Sequence, residues 1–169
     1  MKYSTAVVVA CLSLLALASC ASGSREPYTG AEPAVRDLGQ FEADLRAAVA
    51  GAAGVTLSEA GPIAAEGFSS PIWMVHVERP GSTKRALVFA GIHGNEPAGP
   101  AWALELVRAL AADASLHPDV SFDIVPLLNP WGWSRDVRHN RDGRDINRDF
   151  ATLATQEARA FCDFVEGRH

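Results

Sequence analysis

Ala86-Leu87-Val88-Phe89-Ala90-Gly91-Ile92-His93-Gly94-Asn95-Glu96-Pro97 carries the clearest architectural signal in the chain. Five apolar residues in an unbroken run read as a strand buried on both faces. A polar turn with two glycines follows, and then a proline of the kind that opens a helix at its first position. Trp102, Leu106, Ala109 and Leu110 continue at helical spacing, so a helix is expected from about Pro97 with these residues inward. Upstream, residues 71–78 alternate, with Trp73, Val75 and Val77 on one face and Ile72, Met74 and His76 on the other, and Pro80-Gly81-Ser82 turns the chain into the apolar run. Downstream, 120–128 reads as another strand, and 156–166 as a helix with Ala158, Phe161, Cys162 and Val165 inward. An earlier helix is expected over 34–50, from Val35, Leu38, Phe41, Leu45 and Val49, with Gly51 as its stop. Strands alternating with helices predict an α/β domain, three layers deep as α/β/α, around a mostly parallel mixed sheet.

The ends and the composition bound the setting. Lys2, an apolar run from Ala6 to Ala18 and a small-residue junction read as a secretory signal, too short to span a bilayer as a helix. Residues 1–19 are assigned to this signal. The junction Leu17-Ala18-Ser19-Cys20 resembles a bacterial lipobox, which makes Cys20 the lipidated first residue of the mature chain, held on the membrane of the cell envelope without crossing it. Residues 20–33 are the anchor and a Ser-, Gly- and Pro-rich tether, and 34–169 the domain. Removing the signal leaves 14 Lys and Arg against 20 Asp and Glu, a net charge of −6 that argues against nucleic acid as a partner. Cys162 is left as the single internal cysteine and is expected to be a core thiol without a disulfide.

Ligand sites of doubly wound sheets lie beyond the carboxyl ends of the strands, and two polar loops leave such ends here. In the first, His93 and Glu96 stand three residues apart at a strand-to-helix junction, where an imidazole and a carboxylate can turn to one side and share a metal such as Zn²⁺. The second runs from Asn129 to Phe150 and holds five arginines against four aspartates. Surface pairing of Arg135, Arg141 and Arg144 with aspartates would account for part of that density. Trp131 and Trp133 are expected to pack inside.

These residues resemble the zinc metallocarboxypeptidases, the carboxypeptidase A-like group. The resemblance rests on Gly-x-His-Gly-Asn-Glu at 91–96, Asn-Pro-x-Gly at 129–132 and Arg-x-Asn-x-x-Gly-x-Asp-x-Asn-Arg-x-Phe at 138–150. It implies that His93 and Glu96 are two of three zinc ligands, with a water on the open position. It also implies that Arg138 stabilises the oxyanion, and that Asn147 and Arg148 hold the free carboxylate of a peptide or N-acyl amino acid substrate. Trp131 stands where the group commonly has Asp. The third ligand and the general base of the group are expected beyond residue 169, so the chain as given reads as an N-terminal portion that is inactive alone. The related succinylglutamate desuccinylase/aspartoacylase group, which shares His-Gly-Asn-Glu and Asp-x-Asn-Arg-x-Phe, is the nearest alternative. A non-catalytic peptide-binding lipoprotein is another.

Overall fold

The computed structural model describes residues 27–29 and 32–167. Cys20, the apolar leader and His169 lie outside the described residues, and no helix among those described is long and apolar enough to cross a membrane. Among the described residues the elements are α1 (Leu38–Val49), β1 (Val55–Ala65), β2 (Phe68–Val77), β3 (Lys84–Phe89), α2 (Ala98–Ala112), β4 (Val120–Val125), α3 (Pro130–Arg135) and α4 (Gln156–Gly167), with a 3-10 turn at Ile146–Arg148.

The four strands form one sheet in the order β1-β2-β4-β3. The fold is α/β and the sheet mixed, as the alternation of elements implies. Its balance differs from the expected one, because only β3 and β4 pair in parallel, while β1 with β2 and β2 with β4 run antiparallel. The reason is β1, which the sequence reading does not contain. A two-residue connection at Glu66 and Gly67 joins it to β2 as a hairpin, with Gly67 at φ +70°. Its own alternation is broken by a bulge between Glu59 and Pro62, so no period-2 signal survives over its length. The parallel pair needs a crossover, and α2 supplies it.

Alternation along the central strands sorts side chains between two cores. Val75 and Val77 join Val88, Phe122 and Ile124 on one face, beneath Phe41 and Leu45 of α1 and Ala103, Leu104, Val107 and Leu110 of α2. Ile72 and Met74 join Val125 and Leu128 on the other face, beneath Phe161 of α4. The three expected layers follow from this division. Burial of each large aliphatic or aromatic side chain contributes roughly 1.5–3 kcal/mol, so the two faces together hold most of the stabilisation.

Helix details correct the sequence reading. Asp37 caps α1, its carboxylate accepting from the Gln40 N–H at 3.1 Å, so the helix begins four residues later than expected. In α2 Pro97 is the capping residue, and the buried stripe is Pro100, Ala103, Leu104, Val107 and Leu110. Trp102 and Ala109 therefore face water, Trp102 being 45% exposed. The last turn of α2 has no basic residue of its own, and buried Arg79 from the β2–β3 connection donates there instead, to the carbonyls of Leu110 (2.9 Å), Asp113 (3.2 Å) and Leu116 (3.3 Å). Pro126 ends β4 three residues before the expected boundary at Leu128. Cys162 is free and half-buried against the second core.

Candidate active site

The two polar loops lie side by side because backbone pairing continues past the parallel strands. Ala90 donates to Val125, Leu128 to Ala90, and Asn129 to Gly91, each at 2.9 Å. Gly91 sits at φ +66°, and a Cβ there would lie 2.7 Å from Leu127 Cδ1, so the turn out of β3 needs glycine for both conformation and space. Gly94 packs backbone to backbone on Gly132 and donates to the Arg138 carbonyl at 3.3 Å.

Asn129, fully buried, ties the loops together. Its Oδ1 accepts from the Gly132 N–H at 2.9 Å, while Nδ2 donates to the carbonyls of Ile92 (3.2 Å) and Arg138 (3.4 Å). Pro130 then opens α3, a helix inside what reads from sequence as one long loop. Trp131 is fully buried, with Tyr28 at 4.8 Å and the Arg135 guanidinium 4.9 Å over its ring. Trp133 packs on Phe41 at 5.3 Å. Both tryptophans are thus packing residues. Residues ahead of α1 are docked as well: the Tyr28 backbone N–H donates to the Arg141 carbonyl, and the Arg36 guanidinium donates to the carbonyls of Trp133 (2.6 Å) and Gly94 (3.2 Å).

The next segment is organised by Asn140, which is 1% exposed. Its Oδ1 accepts from the N–H groups of Asp142 and Arg144, its N–H donates to the Arg144 carbonyl, and Gly143 turns at φ +70°. Nδ2 reaches across to Glu157 at the start of α4 at 3.0 Å. Burial raises the Glu157 carboxyl above its ordinary value, while the Asn140 bond pulls the other way. Closing this turn brings residues 138 and 145 together.

The result is one cluster. His93 Nδ1 lies 3.0 Å from Glu96 Oε1, and His93 Nε2 lies 3.0 Å from Asp145 Oδ1. Arg138 donates to Asp145 Oδ2 at 3.0 Å and stands 3.7 Å from Glu96 Oε1. Burial opposes ionisation of Asp145, but the hydrogen bonds and charges of His93 and Arg138 outweigh it and hold the carboxyl below its usual range. Glu96 and Arg138 are open to solvent, at 60% and 41% side-chain exposure, whereas His93 and Asp145 form the floor at 11% and 15%.

Of the residues singled out in the sequence, His93, Glu96 and Arg138 come together. Asn147 and Arg148 are exposed on the neighbouring 3-10 turn, anchored by the Asn147 N–H donating to Asp145 Oδ1 at 3.0 Å. Asp145 is the member that sequence reasoning missed, although its place in Gly-x-Asp-x-Asn-Arg was a signal. The expected aspartate pairing of Arg135 is corrected by its position over Trp131 and Phe68, and among the described residues no ion pair joins Arg141 or Arg144 to an aspartate.

The donor types fit a zinc ion in part. Two ligands bound at about 2.0–2.2 Å to one tetrahedral Zn²⁺ lie roughly 3.3 Å apart, close to the separation of His93 Nδ1 and Glu96 Oε1. Asp145 on the other ring nitrogen stands where an outer carboxylate would fix the tautomer of a metal-bound histidine. Among the described residues no group of three or more His, Cys, Asp or Glu is placed to hold a metal, so the fit extends to two ligands.

Asp149, beside this turn, shapes the approach to α4. It is 5% exposed and accepts from the N–H groups of Ala154 and Thr155 and the hydroxyls of Thr152 and Thr155. Burial alone would raise its carboxyl, but these hydrogen bonds depress it to about 2. A depressed carboxylate stabilises the fold fully above its unfolded value of 3.8, and the contribution is lost as pH falls through about 2. Asp149→Asn is therefore expected to cost about 2 kcal/mol at pH 7 and little at pH 2. Chemical denaturation across that pH range checks it, and an equal loss at both ends would refute the assignment.

Residues 82–162 match the succinylglutamate desuccinylase/aspartoacylase catalytic domain. The chain is 32% identical over 91 residues to carboxypeptidase SOL1 of Arabidopsis thaliana, a match that takes in 47% of this chain and 18% of that protein. By fold it resembles a metallo-carboxypeptidase from Burkholderia cenocepacia, with 23% identity and TM-score 0.64 over 75% of this chain and 37% of the other. It also resembles bovine thrombin-activatable fibrinolysis inhibitor, solved with tick carboxypeptidase inhibitor, with 21% identity and TM-score 0.67 over 81% and 57%. This chain thus spans 18% of the curated relative and 37% and 57% of these two structures.

Proposed function

We propose, from the similarity of this chain to the metallocarboxypeptidases and to the succinylglutamate desuccinylase/aspartoacylase catalytic domain, that it serves a zinc-dependent hydrolase cleaving a C-terminal peptide (amide) bond. The observation that carries the reading is the arrangement at His93, with Glu96 on one ring nitrogen, Asp145 on the other, and Arg138 on the same Asp145. His93 and Glu96 would hold the metal. When bound, it would polarise the scissile carbonyl and acidify a water. Arg138, half-open to solvent and oriented by Asp145, donates to the oxygen on which charge develops. Arg148, exposed and with no ion pair among the described residues, takes the substrate's free carboxylate together with Asn147.

Hydrolysis of N-acyl amino acids is the second reading, favoured by the domain match over 82–162. The full-length protein should be assayed with blocked dipeptides bearing a free C-terminus, and with N-succinylglutamate and N-acetylaspartate. Chelator-sensitive turnover of the dipeptides supports the peptidase, and turnover of the other two alone supports the acylase. Peptide binding with no turnover in any arm would return the chain to a binding module.

We further propose that the mature protein is anchored to the envelope membrane through Cys20, on the strength of Leu17-Ala18-Ser19-Cys20 after an apolar run. Wild type should fractionate with membranes and carry the mass of a lipid, and Cys20→Ala should lose both. A Cys20→Ala protein equally membrane-bound and of unchanged mature mass would sink the idea.

A further inference from the structure

A polar row crosses all four strands on the face covered by α4, away from the candidate metal centre. Ser58 Oγ of β1 lies 2.6 Å from His76 Nε2 of β2, and His76 Nδ1 lies 2.7 Å from Asp123 Oδ1 of β4. Arg85 of β3 donates through one nitrogen to both Asp123 oxygens at 3.1 Å, and through the other to both oxygens of Glu78 at 2.7–2.8 Å. Strand register builds the row. His76 is directly opposite Asp123, and Ser58 and Arg85 are the diagonal neighbours of His76 and Asp123. It lies toward the amino end of β3, whereas His93 and Glu96 follow the carboxyl end.

The hydrogen bonds fix the roles of the ring nitrogens. An ionised carboxylate only accepts, so in the neutral imidazole Nδ1 carries the proton toward Asp123 and Nε2 presents its lone pair to the Ser58 hydroxyl. The ring is held in place by Phe164 of α4, stacked at 5.4 Å, and Arg85 fixes the carboxylate by two bonds. His76 and Asp123 are 4% and 5% exposed, while Ser58 is half-buried and can be reached from solvent. The bulge between Glu59 and Pro62 begins one residue after Ser58, and such irregularities re-aim side chains beside reactive sites.

We propose that Ser58 is an activated nucleophile, with His76 its general base and Asp123 and Arg85 positioning residues, giving the chain a metal-independent reactivity toward small activated esters. Ser58 Oγ bonds to the acyl carbon as its proton passes to His76 Nε2. The imidazolium then gives that proton to the departing alkoxide, leaving acyl-Ser58 and an alcohol. Water reverses the exchange: one proton goes to Nε2, the hydroxide takes the acyl group as a carboxylic acid, and Ser58 recovers its hydrogen.

The test is incubation of the purified protein with a fluorophosphonate probe and with p-nitrophenyl acetate, in the presence of a metal chelator, followed by peptide mass mapping. One probe per chain on Ser58 is expected, insensitive to chelator, absent in Ser58→Ala and absent after denaturation. His76→Gln should slow labelling by about 10²-fold or more, the range removed with a general base. Asp123→Asn should slow it less and displace its pH profile, a change that a purely structural carboxylate would not produce. Circular dichroism of each variant separates these effects from unfolding, and Ser58→Ala, which removes one half-buried oxygen, keeps the test decisive if His76→Gln does not fold. Folded wild type that leaves Ser58 unlabelled, or labelling unchanged in a folded His76→Gln or Asp123→Asn, would overturn the proposal.

Discussion

On the proposed reading as a hydrolase, Arg138→Ala is expected to lower kcat by about 10²- to 10³-fold, the loss typical of one oxyanion donor. Arg138 is held at both its backbone and its side-chain end. Its carbonyl accepts from the Gly94 N–H and from Asn129 Nδ2, and its guanidinium is held at 3.0 Å by Asp145. A donor fixed in this way needs little reorganisation when charge develops on the substrate oxygen. Arg148→Ala should instead raise KM strongly for substrates with a free carboxylate, because the proposed contact would be present in the bound ground state as well. Steady-state kinetics on the two variants distinguish the roles. Small and equal effects from both would assign these arginines to the surface.

Gly94→Ala is expected to destabilise the site loop by about 3 kcal/mol or more, at the upper end of what overpacking costs. A Cβ at residue 94 would stand 2.0 Å from the Gly132 carbonyl carbon and 2.4 Å from both Gly132 O and Trp133 N. These are backbone atoms held by Asn129, so no rotamer change relieves the clash. Gly99→Ala is the contrasting control, since a Cβ there meets only Ala90 Cβ at 3.6 Å and Gly91 N at 3.7 Å, and should stabilise the first turn of α2 by about 0.5–1 kcal/mol. Thermal unfolding of both variants measures the difference. A Gly94→Ala protein as stable as wild type would mean that the two loops are not packed backbone to backbone.

The candidate metal pair was legible because local chemistry carried it. His93 and Glu96 belong to one short turn, and a strand-to-helix junction is sufficient to bring residues three apart to one side. Arg138 was legible only through a motif, since nothing in its own surroundings in the chain says that Asp145 will meet it. The pairing depends on the turn closed by Asn140, whose side chain bonds the Asp142 and Arg144 N–H groups and, through Nδ2, a buried glutamate in a different element. That turn also hid Asp145 among charges that read as surface pairs.

Local pattern is enough for the alternation that divides Trp73, Val75 and Val77 from Ile72, Met74 and His76, for the βαβ crossover, and for the helix over 156–166. Those follow from period and from the turn residues that interrupt it, which are properties of neighbours along the chain. Tertiary structure alone decided the antiparallel hairpin of β1, the stripe of α2 that is buried, the docking of Tyr28 on Trp131, and the row from Ser58 to Arg85. In α2 both stripes are apolar enough, and the one that faces the sheet is chosen by packing. In the row, four residues from four strands meet because strand order and register place them opposite one another, and neither quantity is encoded at any one position.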